Sequence, residues 1–252
     1  MLLTSCRAEA EPARSAQPAQ PAQPAQPAGL PPSATAKTSA PRPLSAPRPH
    51  VVEPLPFDPT KLRGLSERLL VSHHDNNYAG AVKNLNRVEE EIARAPRDAP
   101  PFVVGALHER ALSFRGSTTM HELYFANLGG DGATSAAVDG ALVTAFGSRA
   151  VWEESFRSAA LSLGGGSGWV TLSLDLHRDA LVVVWSGNHT QNLAFGAPLL
   201  VLDMYEHAYQ MDYGAGAARY VDAFFANLRW DVVAERLTRA RYAAAAIRGE
   251  IR

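Results

Sequence analysis

The chain has a single cysteine, Cys6, in 252 residues. That excludes an intrachain disulfide and a zinc site built on several thiolates. It also lacks an excess of either charge: 24 Lys and Arg stand against 25 Asp and Glu, a formal net charge of −1. No electrostatic footprint for nucleic acid or an anionic membrane surface follows from that balance. No run of about 18 or more apolar residues occurs, so no segment reads as a membrane-spanning helix. Two motif-like stretches lack their companions. His177-Arg178-Asp179 mimics a kinase catalytic triplet but stands without the other kinase parts. The Gly164–Gly166 run has no Lys-Ser/Thr after it, so it is not a phosphate loop. What is present is 46% hydrophobic residues, enough for a sizeable core in one or two domains. Eight histidines are present as candidate ligands: His50, His73, His74, His108, His121, His177, His189 and His207.

Residues 1 to 54 differ from everything after them. "AQPAQPAQPAQPAGLPPSATAKTSAPRPLSAPRPH" is a Pro/Ala/Gln repeat followed by a Ser/Pro/Arg stretch. With few large apolar residues to offset ordering entropy, and prolines that favour extended backbone, it reads as a disordered, semi-rigid tether. Leu3-Thr4-Ser5-Cys6 resembles a bacterial lipobox, whose cysteine is lipidated after cleavage. This implies a lipid anchor at Cys6 and a periplasmic or membrane-tethered lipoprotein. Only five residues precede Cys6, where such a signal calls for a basic and then an apolar region. Either the start lies further upstream, or the match is accidental and the protein is cytoplasmic.

The folded part is expected from about Pro54. Leu62, Leu65, Leu69, Leu70, Val82, Leu85 and Val88 recur at helical spacing through two consecutive segments. Asp58-Pro59 reads as a helix start, with Asp as N-cap and Pro at the first helical position. After "APRDAPP" a second helical stretch covers 102–128 and ends at Gly129-Gly130. Two short helices separated by Gly147 follow. The period then changes to strands: "WVTLSLDL" and "ALVVVWSG" pair through a turn at His177-Arg178-Asp179, and "APLLVLD" makes a third strand ending at Asp203. The tail from Ala215 returns to helix. The fold class is α+β: an N-terminal antiparallel helical hairpin (55–135), then an α/β domain (136–252) with a three-stranded antiparallel sheet flanked by helices.

"LLVLDMYEHAYQMDY", Leu199 to Tyr213, begins as a buried-looking strand yet carries Asp203, Glu206 and His207. Burying ionisable groups costs several kcal/mol each unless they are paired or bind a metal. Asp203 and His207 at the end of a strand can converge on one ion. Alone, the His73-His74 pair reads as solvated, and His121 as a satisfied core histidine. Three histidines and an aspartate drawn from separate segments suit Mn or Fe; a plain zinc site and a buried ion pair are the alternatives.

"LDMYEHAYQMDY" resembles the D-V-W-E-H-A-Y-Y-x-D-Y signature of the iron/manganese superoxide dismutases. "SHHDNNYAGAVKNLN" is similar to that family's first-helix segment, whose ligand lies eleven residues before N-L-N. Counting back from Asn84-Leu85-Asn86 selects His73. "HELYFANL" is similar to the second-helix segment and selects His121, while "FGS" and "GGGSGWV" follow in the family's order. The resemblance spans about 55–240. It implies a superoxide substrate, one Mn or Fe ion per subunit, and the ligands His73, His121, Asp203 and His207. It makes Trp169 the pocket tryptophan. His189 takes the place of a Gln or His that hydrogen-bonds the solvent on the metal, since Ser117 stands where a Gln is otherwise found. Glu206 is implied to reach the partner subunit's equivalent of His207 across a two-fold homodimer interface.

The chain departs from the pattern at the family's gateway. Its tyrosine is Ala81, its histidine is Asn77, and the tyrosine that bonds that histidine across the interface is Gln210. Asn77 and Gln210 could keep a polar contact between subunits, and Tyr78 is the candidate to refill the pocket mouth. Tyr205 stands where a tryptophan is usual. The changes leave the ligands intact and touch proton delivery and access. Beside an active dismutase, the sequence therefore leaves room for a catalytically weak metal-binding paralogue. Outside the family the remaining reading is a zinc hydrolase or a metal-binding secreted domain.

Overall fold

The first helical turns of the chain start where short polar side chains, Asp58 and Ser66, cap them. The computed structural model describes residues 49–251. Cys6, the lipobox-like motif and all of the tether up to residue 48 lie outside the described residues. Asp58 does cap the turn that Pro59 opens, but the turn is a single 3-10 helix, Pro59–Lys61. The expected long helix does not start there, because Gly64 (φ 74°) turns the chain in the left-handed region. Ser66 supplies the effective cap, accepting from the Leu69 N–H, and begins α1, Glu67–Ser72. A π-helical segment, His73–Tyr78, follows and runs into α2, Ala79–Arg94. The wider π turn buries both His73 and Tyr78, five residues apart; such turns are frequent at functional sites.

Hydrogen-bonded order begins ahead of Pro54. The His50 N–H donates to Asn86 Oδ1 at 2.8 Å, Asn86 Nδ2 donates back to the His50 carbonyl at 2.8 Å, and the Glu53 N–H donates to Tyr78 Oη at 3.0 Å. α3, Pro101–Ala126, returns antiparallel to α2, with Leu85, Val88 and Ala111 buried between them. The hairpin expected from the apolar spacing is thus present.

Ser135 and Ser148 cap α4, Ala136–Phe146, and α5, Arg149–Leu161. Three strands follow: β1, Trp169–Asp175, β2, Ala180–Ser186, and β3, Gly196–Asp203. The order is β2-β1-β3, antiparallel throughout, so the sheet is the α+β arrangement read from the sequence. β1 is buried at all but its last residue, which means that both faces are covered. The register has a direct consequence for the site: Trp169 pairs with Asp203 on one side and with Ser186 on the other. One end of the sheet therefore carries Trp169, Asp203 and the entrance to the loop bearing His189.

After β3 come a 3-10 turn, Glu206–Ala208, then α6, Gln210–Tyr213, α7, Ala217–Ala226, and α8, Trp230–Ile247. Trp152, Phe156 and Trp230 are fully buried within a core shared by helices and sheet, with Trp152 tilted against Phe156 and edge-on to Trp230. Burial of such side chains contributes roughly 1.5–3 kcal/mol each. Asn127, just after α3, is buried and accepts from the Val201 N–H of β3 (3.0 Å) and from Arg236 of α8 (3.2 Å). Arg236 also donates to the carbonyls of Leu199 and Leu123. This polar lock fixes the C-terminal end of α3, and with it His121, against the strand that ends in Asp203.

Candidate metal centre

Four elements each deliver one ionisable side chain to a common point. His73 comes from the π segment, His121 from α3, Asp203 from the end of β3, and His207 from the 3-10 turn after it. Asp203 Oδ2 is the focal atom. It lies 3.1 Å from His73 Nε2, 3.3 Å from His207 Nε2 and 3.6 Å from His121 Nε2. One potential ligand atom from each residue falls within 4.8 Å of all the others. His73 and His121 are 1% exposed and Asp203 0%, so this is an interior site that water reaches poorly.

The atoms around the four residues decide their protonation. His121 Nδ1 donates to the Ser117 carbonyl one turn earlier at 2.7 Å, which leaves Nε2 with a free lone pair. The Tyr205 N–H donates to Asp203 Oδ1 at 2.8 Å, and Tyr220 Oη donates to the Asp203 carbonyl at 2.7 Å while lying 3.1 Å from Tyr124 Oη. Burial pushes the His121 imidazole down to about 3, with the charge of His73 adding to the effect. Burial lowers His73 as well, against the pull of Asp203. Burial alone would raise Asp203, but the attraction of His207 and the contacts from His207 and His73 outweigh it and hold the carboxyl well below the usual range. The site thus keeps an ionised carboxylate beside two imidazoles, His73 and His121, that resist protonation.

That donor set fits a metal ion. His121 Nε2 and His207 Nε2, both facing Asp203 Oδ2, are buried with no hydrogen-bond partner, a state that costs about 1–3 kcal/mol per group if nothing else engages it, and His73 turns its Nε2 to the same oxygen. Three imidazole nitrogens with one hard carboxylate match the preferences of first-row divalent and trivalent ions. The four residues are the quartet expected from the sequence.

Trp169 is 0% exposed and stands edge-on to the His121 ring at 5.1 Å between centres. Its indole N–H donates to His189 Nδ1 at 3.0 Å. The His189 ring centre is 6.4 Å from that of His121, so the structure does bring His189 to the edge of the cluster. Tyr78 is placed differently. Its ring is 6.2 Å from His121, but its hydroxyl is engaged by the Glu53 N–H and donates to Glu122 at 3.0 Å. It lines a cavity of about 380 Å³ with Pro54, His74 and Phe125 rather than standing free beside the cluster. Ala81 is buried. Glu206 and Gln210 are exposed and Asn77 is half-buried; among the described residues none makes a side-chain hydrogen bond. Tyr124, Tyr220 and the orienting carbonyl of Ser117 were not singled out by sequence reasoning. The two aromatic residues carried no polar signal, and only the fold places their hydroxyls together.

A helical hairpin joined to a three-stranded antiparallel sheet, with a buried three-histidine, one-aspartate cluster between them, defines a mononuclear non-haem metalloprotein. Residues 134–236 match the family model of the iron/manganese superoxide dismutases, C-terminal domain. A superoxide dismutase [Fe] of Cupriavidus metallidurans is 44% identical over 190 residues, covering 75% of this chain and 96% of the relative. A superoxide dismutase [Mn] 1 of Halobacterium salinarum is 34% identical over 193 residues, covering 74% and 94%. A superoxide dismutase [Fe] of Aquifex pyrophilus is 32% identical over 215 residues, covering 81% and 99%. The chain belongs to the iron/manganese superoxide dismutase family.

Proposed function

We propose that this protein dismutes superoxide to O2 and H2O2 at one iron or manganese ion held by His73, His121, Asp203 and His207. The observation that carries the reading is the convergence of those four side chains, with ligand atoms within 4.8 Å of one another and two of the imidazole nitrogens that face Asp203, His121 Nε2 and His207 Nε2, left unpartnered in the interior. Bound by these four residues, such an ion would supply the single-electron redox chemistry that the reaction needs.

The chain's own residues do the rest. Asp203 provides the anionic charge, and Tyr220 and the Tyr205 N–H fix its position. The Ser117 carbonyl selects the His121 tautomer that presents Nε2. Trp169 closes one wall of the site with an apolar face, which keeps the surroundings dry and strengthens each electrostatic interaction inside. His189 is the polar group at hand to hold a proton where peroxide must gain one.

A homodimer is part of the proposal. Glu206 is exposed one residue before His207, whose side chain is 26% exposed, and Asn77 and Gln210 are free to meet a second copy. Lipid attachment at Cys6 is proposed from the sequence motif; Cys6→Ser should then release the protein from membranes. Among the described residues, no helix is long and apolar enough to cross a membrane. Elemental analysis with a superoxide-consumption assay tests the main reading: about one Fe or Mn per chain with turnover supports it, and tightly held zinc with no turnover sinks it.

A further inference from the structure

His189 comes from a loop, yet three separate elements fix its ring. The Trp169 indole N–H, at the start of β1, donates to His189 Nδ1 at 3.0 Å. An imidazole nitrogen that accepts a hydrogen bond carries no proton, so the neutral ring must hold its proton on Nε2. The Tyr205 ring lies parallel to the imidazole, 4.6 Å between centres and 10° between planes. Tyr205 is also stacked with the His207 ring at 5.3 Å and 20°, so one tyrosine bridges a cluster histidine and His189. The third constraint is a missing side chain. Gly116 of α3 passes so close to the loop that a Cβ there would overlap the His189 carbonyl oxygen. Its bare backbone lets the loop seat against the helix one residue before Ser117, whose carbonyl orients His121.

We infer that Tyr205 and Gly116 are positioning residues for His189: with Trp169 they lock its imidazole in the Nε2–H tautomer and leave that N–H as the ring's free donor beside the His73–His121–Asp203–His207 cluster. Among the described residues no hydrogen bond engages His189 Nε2. The donor's purpose rests on the dismutase reading above; its geometry does not. Tyr205 and Gly116 act through His189 and touch no reacting atom, so their effect is on tautomer and ring orientation.

The test is nitrogen-15 NMR of histidine-labelled full-length protein, metal-free and loaded with diamagnetic gallium(III), with His189→Gln assigning the signal. The wild type is expected to show one His189 species, pyrrole-like at Nε2 and pyridine-like at Nδ1. Tyr205→Phe keeps the stacked ring and should preserve that signal. Tyr205→Leu should give a second tautomer or ring orientation. Gly116→Ala should do the same although alanine is the better helix former, and it decides the matter if Tyr205→Leu does not fold. In iron-loaded protein the midpoint potential should shift in Tyr205→Leu and Gly116→Ala and be restored in Tyr205→Phe. A wild-type Nδ1–H tautomer would overturn the inference, as would one unchanged Nε2–H signal in both Tyr205→Leu and Gly116→Ala. A locked His189 in a protein without turnover would count against the dismutase reading and for the mount; turnover with mixed tautomers would count against the mount alone.

Discussion

The interior position of His121 makes stability depend on pH in a way that can be worked out in advance. Its imidazole is held near 3 by burial, against about 6.5 in an unfolded chain. Between those values the unfolded chain binds one more proton than the folded one, so acid favours unfolding. The contribution of His121 is fully present above about pH 6.5 and declines as pH falls toward 3. The slope is ~1.4 kcal/mol per pH unit, so lowering the pH from 6.5 to 5 removes ~2 kcal/mol. His73, lowered for the same reason, adds to the loss in the same direction. Asp203, whose carboxyl is depressed, contributes only below the ordinary carboxylate range and adds nothing above pH 5. Against a typical total of about 5–15 kcal/mol this is a large effect. Urea unfolding of the metal-free full chain at pH 7, 6 and 5 measures it. His121→Gln, which keeps a polar partner for the Ser117 carbonyl but cannot titrate, should flatten the slope by ~1.4 kcal/mol per unit. A wild-type stability that does not change between pH 6.5 and 5, or an unaltered slope in His121→Gln, would refute the reasoning.

Tyr220→Phe removes the donor to the Asp203 carbonyl and the neighbour of Tyr124 Oη; unfolding measurements should show a loss of about 1–3 kcal/mol. Ala81→Tyr, which restores the family's usual residue, places a ring at a buried position. It should cost about 1–3 kcal/mol by overpacking, read as a lower melting temperature. Glu206→Lys puts a cation beside His207, and sedimentation should show the proposed dimer weakened relative to wild type.

Much of the centre was legible because its chemistry is written in spacing. Asp203 closes an apolar strand and His207 follows at four residues, so the sequence itself shows a carboxylate and an imidazole entering the interior together. His73 and His121 were not separable from ordinary core or surface histidines by their own surroundings, and the ordered resemblance was needed to select them. The helix start was misplaced at Asp58 because Asp-Pro is a strong local cap signal, while Gly64, two turns on, overrides it with a left-handed turn. The π segment had no signal at all: no glycine or proline marks it, and its cause lies in burying His73 and Tyr78 together. Gly116 was ambiguous for a different reason. Gly105 lies in the same helix with nothing near it, so only the fold shows which glycine has a neighbour to admit. Tyr78 sat plausibly one turn from Ala81, but its partners Glu53 and Glu122 are brought to it by segments remote in sequence.

The central claim is that Asp203 and three histidines hold one redox-active ion. Metal content and superoxide-dependent turnover, measured together on wild type and Asp203→Ala, test it most directly. The wild type should hold about one iron or manganese per chain and turn over superoxide, and Asp203→Ala should lose both. Full metal loading of Asp203→Ala, or a wild type that holds only zinc and leaves superoxide untouched, would contradict it.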